Sequence, residues 1–280
     1  MINEYFTINY NSTDFSRKLK DFGTSSVSIE LQLGEHIYIG YEKPFNQIFV
    51  ELEEVNTSGG LLSAEYFDGS AWQPLNSLID ETEDFSKSGF LFFDKPSSWA
   101  EGEVESVSKF YIRLSTTVSH SVGVLVQGIG ILLSNDLDLE GIRSNIVSKH
   151  NNGESWVLKH EAARKAIVDE LRRKGNRIVT NDDKNNPLVT EGKKFKDLTE
   201  FDLLEPEQLR QASMYKTLSM IYLDELSDEE GDKYERQGMR YENSFYQALN
   251  VFALAIDFDN DGLADDNESV LAYNTDLIFR

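Results

Sequence analysis

The spacing of apolar residues changes once along this chain of 280 residues, close to Leu133. Before that point apolar and polar residues alternate, as Ile37 and Ile39 do with His36 and Tyr38. A period of two is typical of a half-buried strand, whereas the later spacing of three and four is typical of an amphipathic helix. The sequence therefore predicts an α+β multidomain protein: an N-terminal antiparallel β-sandwich followed by a C-terminal α-helical bundle with an EF-hand-like loop.

Turn signals divide the first half into short strands. Asp68-Gly69 follows an apolar run and predicts a hairpin, and Pro96 ends the run Phe90–Phe93. Frequent turns between short strands favour a sandwich. The predicted domains are a β-sandwich over 1–134, a linker over 135–152, a helical domain over 153–268 and a C-terminal docking segment over 269–280.

Three helices are predicted in the second half. The first runs over 153–174 and stops at Gly175, and a long exposed loop over 176–198 follows. The second begins at Pro206, which suits a first helical position. The third runs over 228–256, because Ser227 and Glu230 have the spacing of a capping box.

An acidic run follows the third helix directly. Carboxylates stand at positions 1, 3, 5, 9 and 12 of the run 257–268, with glycine at position 6. This is the spacing of an EF-hand-type calcium loop, in which alternate residues turn oxygen atoms inward and glycine permits the sharp turn. A solvated acidic turn is the alternative. The predicted ligands of a structural Ca²⁺ are Asp257, Asp259, Asp261, the carbonyl of Leu263, Asp265 and Glu268.

Composition excludes several classes of function. The formal net charge of −22 argues against wrapping nucleic acid, which needs a basic surface. No cysteine is present to form a disulfide or a thiolate zinc site. No stretch is long and apolar enough to cross a bilayer, and the first residues lack the apolar core of a signal peptide. We expect a protein that stays in the cell that makes it, or leaves by lysis.

No catalytic constellation is visible in the sequence. The four histidines are scattered, without a metalloprotease motif or an evident nucleophile–base pair. Trp72 and Trp99 could stack on sugars, although their place in strands favours core packing. We therefore expect a protein that is not an enzyme.

Two stretches resemble components of tailed-bacteriophage virions. The order from Glu65 to Leu114 (an aromatic hairpin, an Asp-Gly turn, Pro96-Ser97-Ser98-Trp99, then Phe110 to Leu114) is similar to a β-sandwich module of phage tail, baseplate and neck proteins. Tyr111 stands where that module often has tryptophan, and Asp80-Glu81-Thr82 replaces its usual turn. Residues from about 155 to 280 resemble the small helical head–tail connector proteins.

The resemblance implies a virion structural protein: a neck adaptor that forms a homo-oligomeric ring below the portal and joins head to tail. Its partners would be the portal protein and neighbouring neck or tail proteins. DNA would pass without specific binding, and assembly would take place in the host cytoplasm, with no membrane involved. The apolar segment Ser269 to Arg280 would dock on a neighbouring subunit. A baseplate or tail component and a calcium-dependent glycan- or surface-binding module remain alternatives.

Overall fold

The computed structural model describes residues 5–181, 198–227, 233–249 and 255–257; side chains of residues 174–181 are not among those described. The chain divides into two compact units that meet in sequence between Ile131 and Leu132. We call them the β unit and the helical unit. Two antiparallel sheets in the first and several helices in the second make the protein α+β.

The larger sheet of the β unit has seven strands in the order β2-β1-β4-β11-β6-β7, with β10 paired to β11. One short helix, α1 (Ser16–Leu19), follows β2. The strands of this sheet are β1 (Thr7–Tyr10), β2 (Thr13–Asp14), β4 (Ile37–Tyr41), β6 (Leu62–Phe67), β7 (Trp72–Pro74), β10 (Glu101–Val104) and β11 (Val107–Thr116).

The smaller sheet has five strands in the order β3-β12-β5-β9-β8. In this order β12, the last strand of the β unit, lies between β3 and β5, so both of its partners come from much earlier in the sequence. The strands are β3 (Val27–Ile29), β5 (Gln47–Glu54), β8 (Ile79–Asp80), β9 (Gly89–Phe92) and β12 (Val124–Gly130).

Alternation in sequence becomes alternation in burial in the larger sheet. Ile39 and Ile112 are fully buried and lie opposite each other on β4 and β11. Their neighbours Tyr38 and Arg113 lie opposite each other one step along and are partly exposed. Because successive side chains of a strand point to opposite faces, this sheet has an apolar face and a second face. We call the second one the polar face.

The helical unit contains five helices in its described residues. Its first two helices, α2 and α3, lie within residues 135–152, the stretch predicted to be a linker. A 3-10 turn over Pro206–Leu209 leads into α5, and a π-helical turn over Ile221–Leu226 ends it. The helices are α2 (Asp136–Ile142), α3 (Ile146–His150), α4 (Val157–Asn181), α5 (Arg210–Met220) and α6 (Lys233–Leu249).

Two apolar clusters hold these helices together. Ile167 and Leu171 of α4 pack with Ala212 of α5 and Phe245 of α6 in one cluster, which agrees with the helical spacing of apolar residues in this half of the sequence. The second cluster gathers these residues around α2 and the π-helical turn: Leu139, Ile146, Trp156, Leu218, Ile221, Tyr222 and Tyr241. Burial of such faces, more than helix propensity, stabilises helices of this length.

The predicted helix ends were wrong in two places. Helix α4 continues through Gly175 to Asn181, so glycine does not end it. A single glycine inside a helix costs about 1 kcal/mol, which packing of the preceding turns can offset. The predicted third helix does not reach Ile256, because that residue forms an isolated antiparallel bridge with Leu203. The predicted capping box at Ser227 and Glu230 extends outside the described residues.

In the part of the chain that the structure describes, no helix has both the length and the apolar character needed to cross a membrane.

Candidate functional site

The acidic loop begins at a point that the helical unit holds in place. The amide of Asp257 donates a 2.7 Å hydrogen bond to the carbonyl of Asp202, and the amide of Leu204 donates one of 3.1 Å to the carbonyl of Ala255. Together with the bridge between Leu203 and Ile256, these bonds join the backbone around Leu203 to residues 255–257. The backbone that enters the predicted calcium loop is therefore fixed.

Asp202 is itself locked by its neighbours. Its carboxylate accepts hydrogen bonds of 2.7 Å from both the amide and the hydroxyl of Thr199, which form a capping box at the 3-10 turn Glu200–Asp202. Both Asp202 and Asp257 are completely buried. Rigid support of this kind suits the first residue of a metal-binding loop.

Of the predicted calcium ligands, only Asp257 is among the described residues. A buried carboxylate is costly unless a cation or hydrogen-bond donors compensate it, so its burial is compatible with a place beside an ion. Elsewhere in the described residues no group of three or more His, Asp or Glu side chains could hold a metal ion. The calcium site stays a prediction. The remaining ligands of the prediction, which lie outside the described residues, are Asp259, Asp261, Leu263, Asp265 and Glu268.

A cluster of aromatic and charged side chains lies on the polar face of the larger sheet. The ring of Trp72 on β7 has the Cζ of Arg113 at 4.7 Å from its centroid, the geometry of a cation–π contact. The rings of Tyr38 and Phe67 each lie 5.6 Å from that of Trp72. Glu65 accepts a 2.7 Å hydrogen bond from the Nε of Arg113. We call these five residues the polar-face cluster.

Strand register explains how the cluster forms. Tyr38, Arg113 and Glu65 are successive Cα partners across β4, β11 and β6, and Phe67 is the partner of Trp72 across β6 and β7. Residues that are far apart in sequence therefore line up across four neighbouring strands. At about 4.8 Å between strands, the row extends over roughly 14 Å.

His36 lies at one side of the cluster. Its ring is 6.0 Å from that of Tyr38, and its Nδ1 is buried without a hydrogen-bond partner. Burial lowers the pKa of His36, and the nearby Arg113 guanidinium lowers it further, against a smaller opposite effect of Glu65. At neutral pH the imidazole is therefore uncharged and keeps a lone pair as an acceptor.

The two tryptophans named from the sequence have different environments. Trp99 is buried, and its indole N–H donates a 3.2 Å hydrogen bond to the carbonyl of Tyr111. Its ring lies 5.1 Å from Phe45, in the core. Trp72 is partly exposed on the polar face. Core packing is thus correct for Trp99, and Trp72 is the one that a ligand could reach.

A serine, a histidine and an aspartate form a chain of contacts in the helical unit. The Nδ1 of His160 lies 2.8 Å from the Oγ of Ser134, and its Nε2 lies 3.2 Å from Asp136. The order serine–histidine–aspartate is that of a catalytic triad, but the two ring nitrogens are exchanged, and Ser134 is completely buried and also contacts the hydroxyl of Ser213 at 2.7 Å. A substrate has no access to that oxygen, so the group works as a structural polar core.

A second buried polar group lies in the β unit. The carboxylate of Asp84 accepts hydrogen bonds from the hydroxyl of Thr116 at 3.0 Å and from the side-chain amide of Asn56 at 3.1 Å. The Nε2 of His120 lies 3.5 Å from it. Burial raises the pKa of Asp84, and Thr116 and His120 oppose that rise.

Comparison with known proteins leaves the family open. No family model and no curated protein matches the chain. Two solved structures are each 16% identical: one titled CpGH89CBM32-6 produced by Clostridium perfringens, and one of a pectin-binding carbohydrate-binding module. They cover 46% and 44% of this chain and 93% and 87% of their own, with a TM-score of 0.29 in both cases. At this TM-score the likeness does not establish a shared fold.

The sequence reasoning missed both the polar-face cluster and the buried His160 group. The polar-face cluster depends on strand order, which the sequence does not show. Trp72 on β7 and Arg113 on β11 come close because only one strand, β6, lies between them. The alternation of polar residues at Tyr38, Glu65 and Arg113 was the available signal. For the second, Ser134 and Asp136 stand two residues apart at the start of the helical unit, with nothing local to indicate His160.

Proposed function

We propose that the protein is a virion structural protein of a tailed bacteriophage, a neck adaptor that joins head to tail. In this proposal the two sheets form a β-sandwich domain, the helices form a connector-like bundle, and the acidic loop binds a structural Ca²⁺. The portal and neighbouring neck or tail proteins would be its partners in a ring. The proposal rests on the resemblance described above.

The observation that supports it most is how the two resembling stretches map onto the fold. The stretch from Glu65 to Leu114 begins within β6 and ends within β11, and so lies inside the β unit. The described residues of the second stretch, from about residue 155 to Asp257, lie inside the helical unit. Each resemblance therefore falls on a part of the chain that could fold as a unit, which is what an arrangement of two modules requires.

The anchored end of the helical unit is compatible with the same function. Its last described residue, Asp257, is held by Asp202 through the backbone. A tail that docks on a neighbouring ring binds with less entropic cost when its departure point is fixed. The segment that would dock, 269–280, is predicted from its apolar residues alone.

Particle localisation tests the proposal. The purified chain and a portal ring would be mixed and examined by negative-stain microscopy, and antibody against the chain would be applied to purified particles. We expect rings that add one layer to the portal, and label at the neck. Label at the distal end of the tail would favour the baseplate alternative, and absence from particles would contradict a virion protein altogether.

A variant that removes the predicted C-terminal contact tests the role of that segment. Replacement of Leu277 and Ile278 by serine should prevent layer formation while each unit still unfolds at its normal temperature. Layer formation that survives this change would contradict the predicted role of the segment.

A further inference from the structure

We propose that the polar-face cluster binds a neutral saccharide. This inference goes beyond the role in the neck and does not depend on it, because it concerns only residues of the β unit. The occupant is identified by its chemistry: a pyranose ring has a face of C–H groups that can lie on an aromatic ring, and hydroxyl groups around its edge that pair with polar side chains.

The apolar part of the recognition surface is Trp72 with Phe67 and Tyr38. The three rings are tilted to each other at 59° and 60° about Trp72, and so form an uneven, partly exposed surface in place of a closed stack. Aromatic rings bury a large area at small cost in side-chain entropy, and tyrosine adds a hydroxyl group at its edge. Such a surface suits a rigid ring with an apolar face.

The polar part is the pair formed by Arg113 and Glu65. The Nε of Arg113 is bound to Glu65, and the two side chains are 21% and 29% exposed. A guanidinium group has five N–H donors and a carboxylate has four acceptor sites, so the pair still offers donors and acceptors side by side after this one bond. A hydroxyl group needs both, because it donates one hydrogen bond and accepts others.

His36, beside this pair, adds no charge to the site. Its low pKa keeps the ring neutral, and its buried Nδ1 has no partner within the protein. The charge of the site is therefore set by Arg113 and Glu65.

Charge selects a neutral ligand over a charged one. Glu65 compensates the positive charge of Arg113 at 2.7 Å, so the site has no net cation for a uronate, a sialic acid or a phosphate. The formal net charge of −22 further repels anions, including nucleic acid. A saccharide without charge meets neither obstacle.

A saccharide array is the test, with the intact chain as the probe. The array would present neutral hexoses and N-acetylhexosamines beside uronic acid and sialic acid oligomers. We expect retention on neutral saccharides. The Trp72→Ala variant should reduce apparent affinity at least tenfold, and Glu65→Gln should reduce it less, since an amide still accepts and donates. Arg113→Lys should weaken binding through loss of the planar fork.

Two controls make the result specific. Tyr246→Ala removes an aromatic ring that is 41% exposed in the helical unit, and it should leave retention unchanged. Thermal unfolding of each variant shows whether the β unit still folds, and Trp72→Phe provides a milder change if alanine unfolds it. Absence of retention on neutral saccharides, retention only on acidic ones, or retention that Trp72→Ala leaves intact would each overturn the proposal. None of these results bears on where the protein lies in a particle.

Discussion

Gly40 of β4 is the position where the larger sheet has least room for a side chain. A Cβ there would lie 2.5 Å from the Cδ1 and 2.8 Å from the Cζ of Tyr111, and nearer still to the Cε1. Tyr111 is the Cα partner of Gly40 on β11 and is completely buried. Non-bonded carbon atoms prefer about 3.5–4.0 Å, so Gly40→Ala requires the ring to move by roughly 1 Å or more.

The ring cannot move freely. Its hydroxyl donates a 3.2 Å hydrogen bond to the carbonyl of Val107, and burial raises its pKa to about 12. Overpacking costs about 1–3 kcal/mol, and loss of the hydrogen bond costs about 0.5–1.5 kcal/mol more. Alanine reduces the entropy of the unfolded chain and returns about 0.5–1 kcal/mol. We expect Gly40→Ala to lower the free energy of unfolding of the β unit by about 2–3 kcal/mol.

Urea unfolding monitored by tryptophan fluorescence is the assay: Trp72 and Trp99 report on the β unit, and Trp156 reports on the helical unit. Gly123→Ala is the matched control. Its Cβ would overlap the Oγ of Ser28, the end of an exposed side chain that can rotate away. The control should change stability by less than about 0.5 kcal/mol. Equal losses in both variants, or no loss in Gly40→Ala, would refute the reasoning that the buried ring blocks the site.

Three other perturbations have defined outcomes. Chelation of Ca²⁺, or Asp259→Ala, should lower the melting temperature, because uncompensated carboxylates repel each other; a transition that is the same with and without calcium would remove the structural ion. Asp84 has a raised pKa in the fold, so its contribution to stability is present below the ordinary aspartate pKa of 3.8 and declines as pH rises through the folded pKa. Asp84→Asn should flatten this pH dependence of the free energy of unfolding, and an unchanged profile would contradict it. His160→Ala should destabilise the helical unit by about 2–3 kcal/mol in urea, because it leaves buried Ser134 without its imidazole partner; a loss below about 0.5 kcal/mol would show that this contact contributes little.

Periodicity predicted the elements whose burial follows one simple pattern. In β4 the buried Ile37 and Ile39 stand on either side of the partly exposed Tyr38, and Ile167 and Leu171 lie on one buried face of α4. In each case a single local rule decides which side chains are buried. The hairpin at Asp68-Gly69 was predictable for the same reason: β6 pairs with β7 there.

Features that depend on distant backbone partners were not predictable. Helical spacing continues to Ile256, yet that residue bonds to Leu203 as a bridge, because the competing partner is brought there by the rest of the fold. A short apolar run cannot by itself distinguish a helix end from a strand. The polar-face cluster required the order of four strands, and strand order is not encoded in local alternation.

The bridge between Leu203 and Ile256 also sets the order in which the protein can form during synthesis. All the described strands of the β unit have been translated when β12 ends at Gly130, so they can pair while the ribosome is still adding the helices. The helical unit cannot fold completely at that stage. The segment around Leu203 pairs with Ile256, which is translated much later. Until residues 255–257 emerge, the apolar side of α5 lacks part of its cover. The nascent chain therefore passes through a stage in which the strands of the β unit can already be paired while the helical unit still exposes part of its apolar surface.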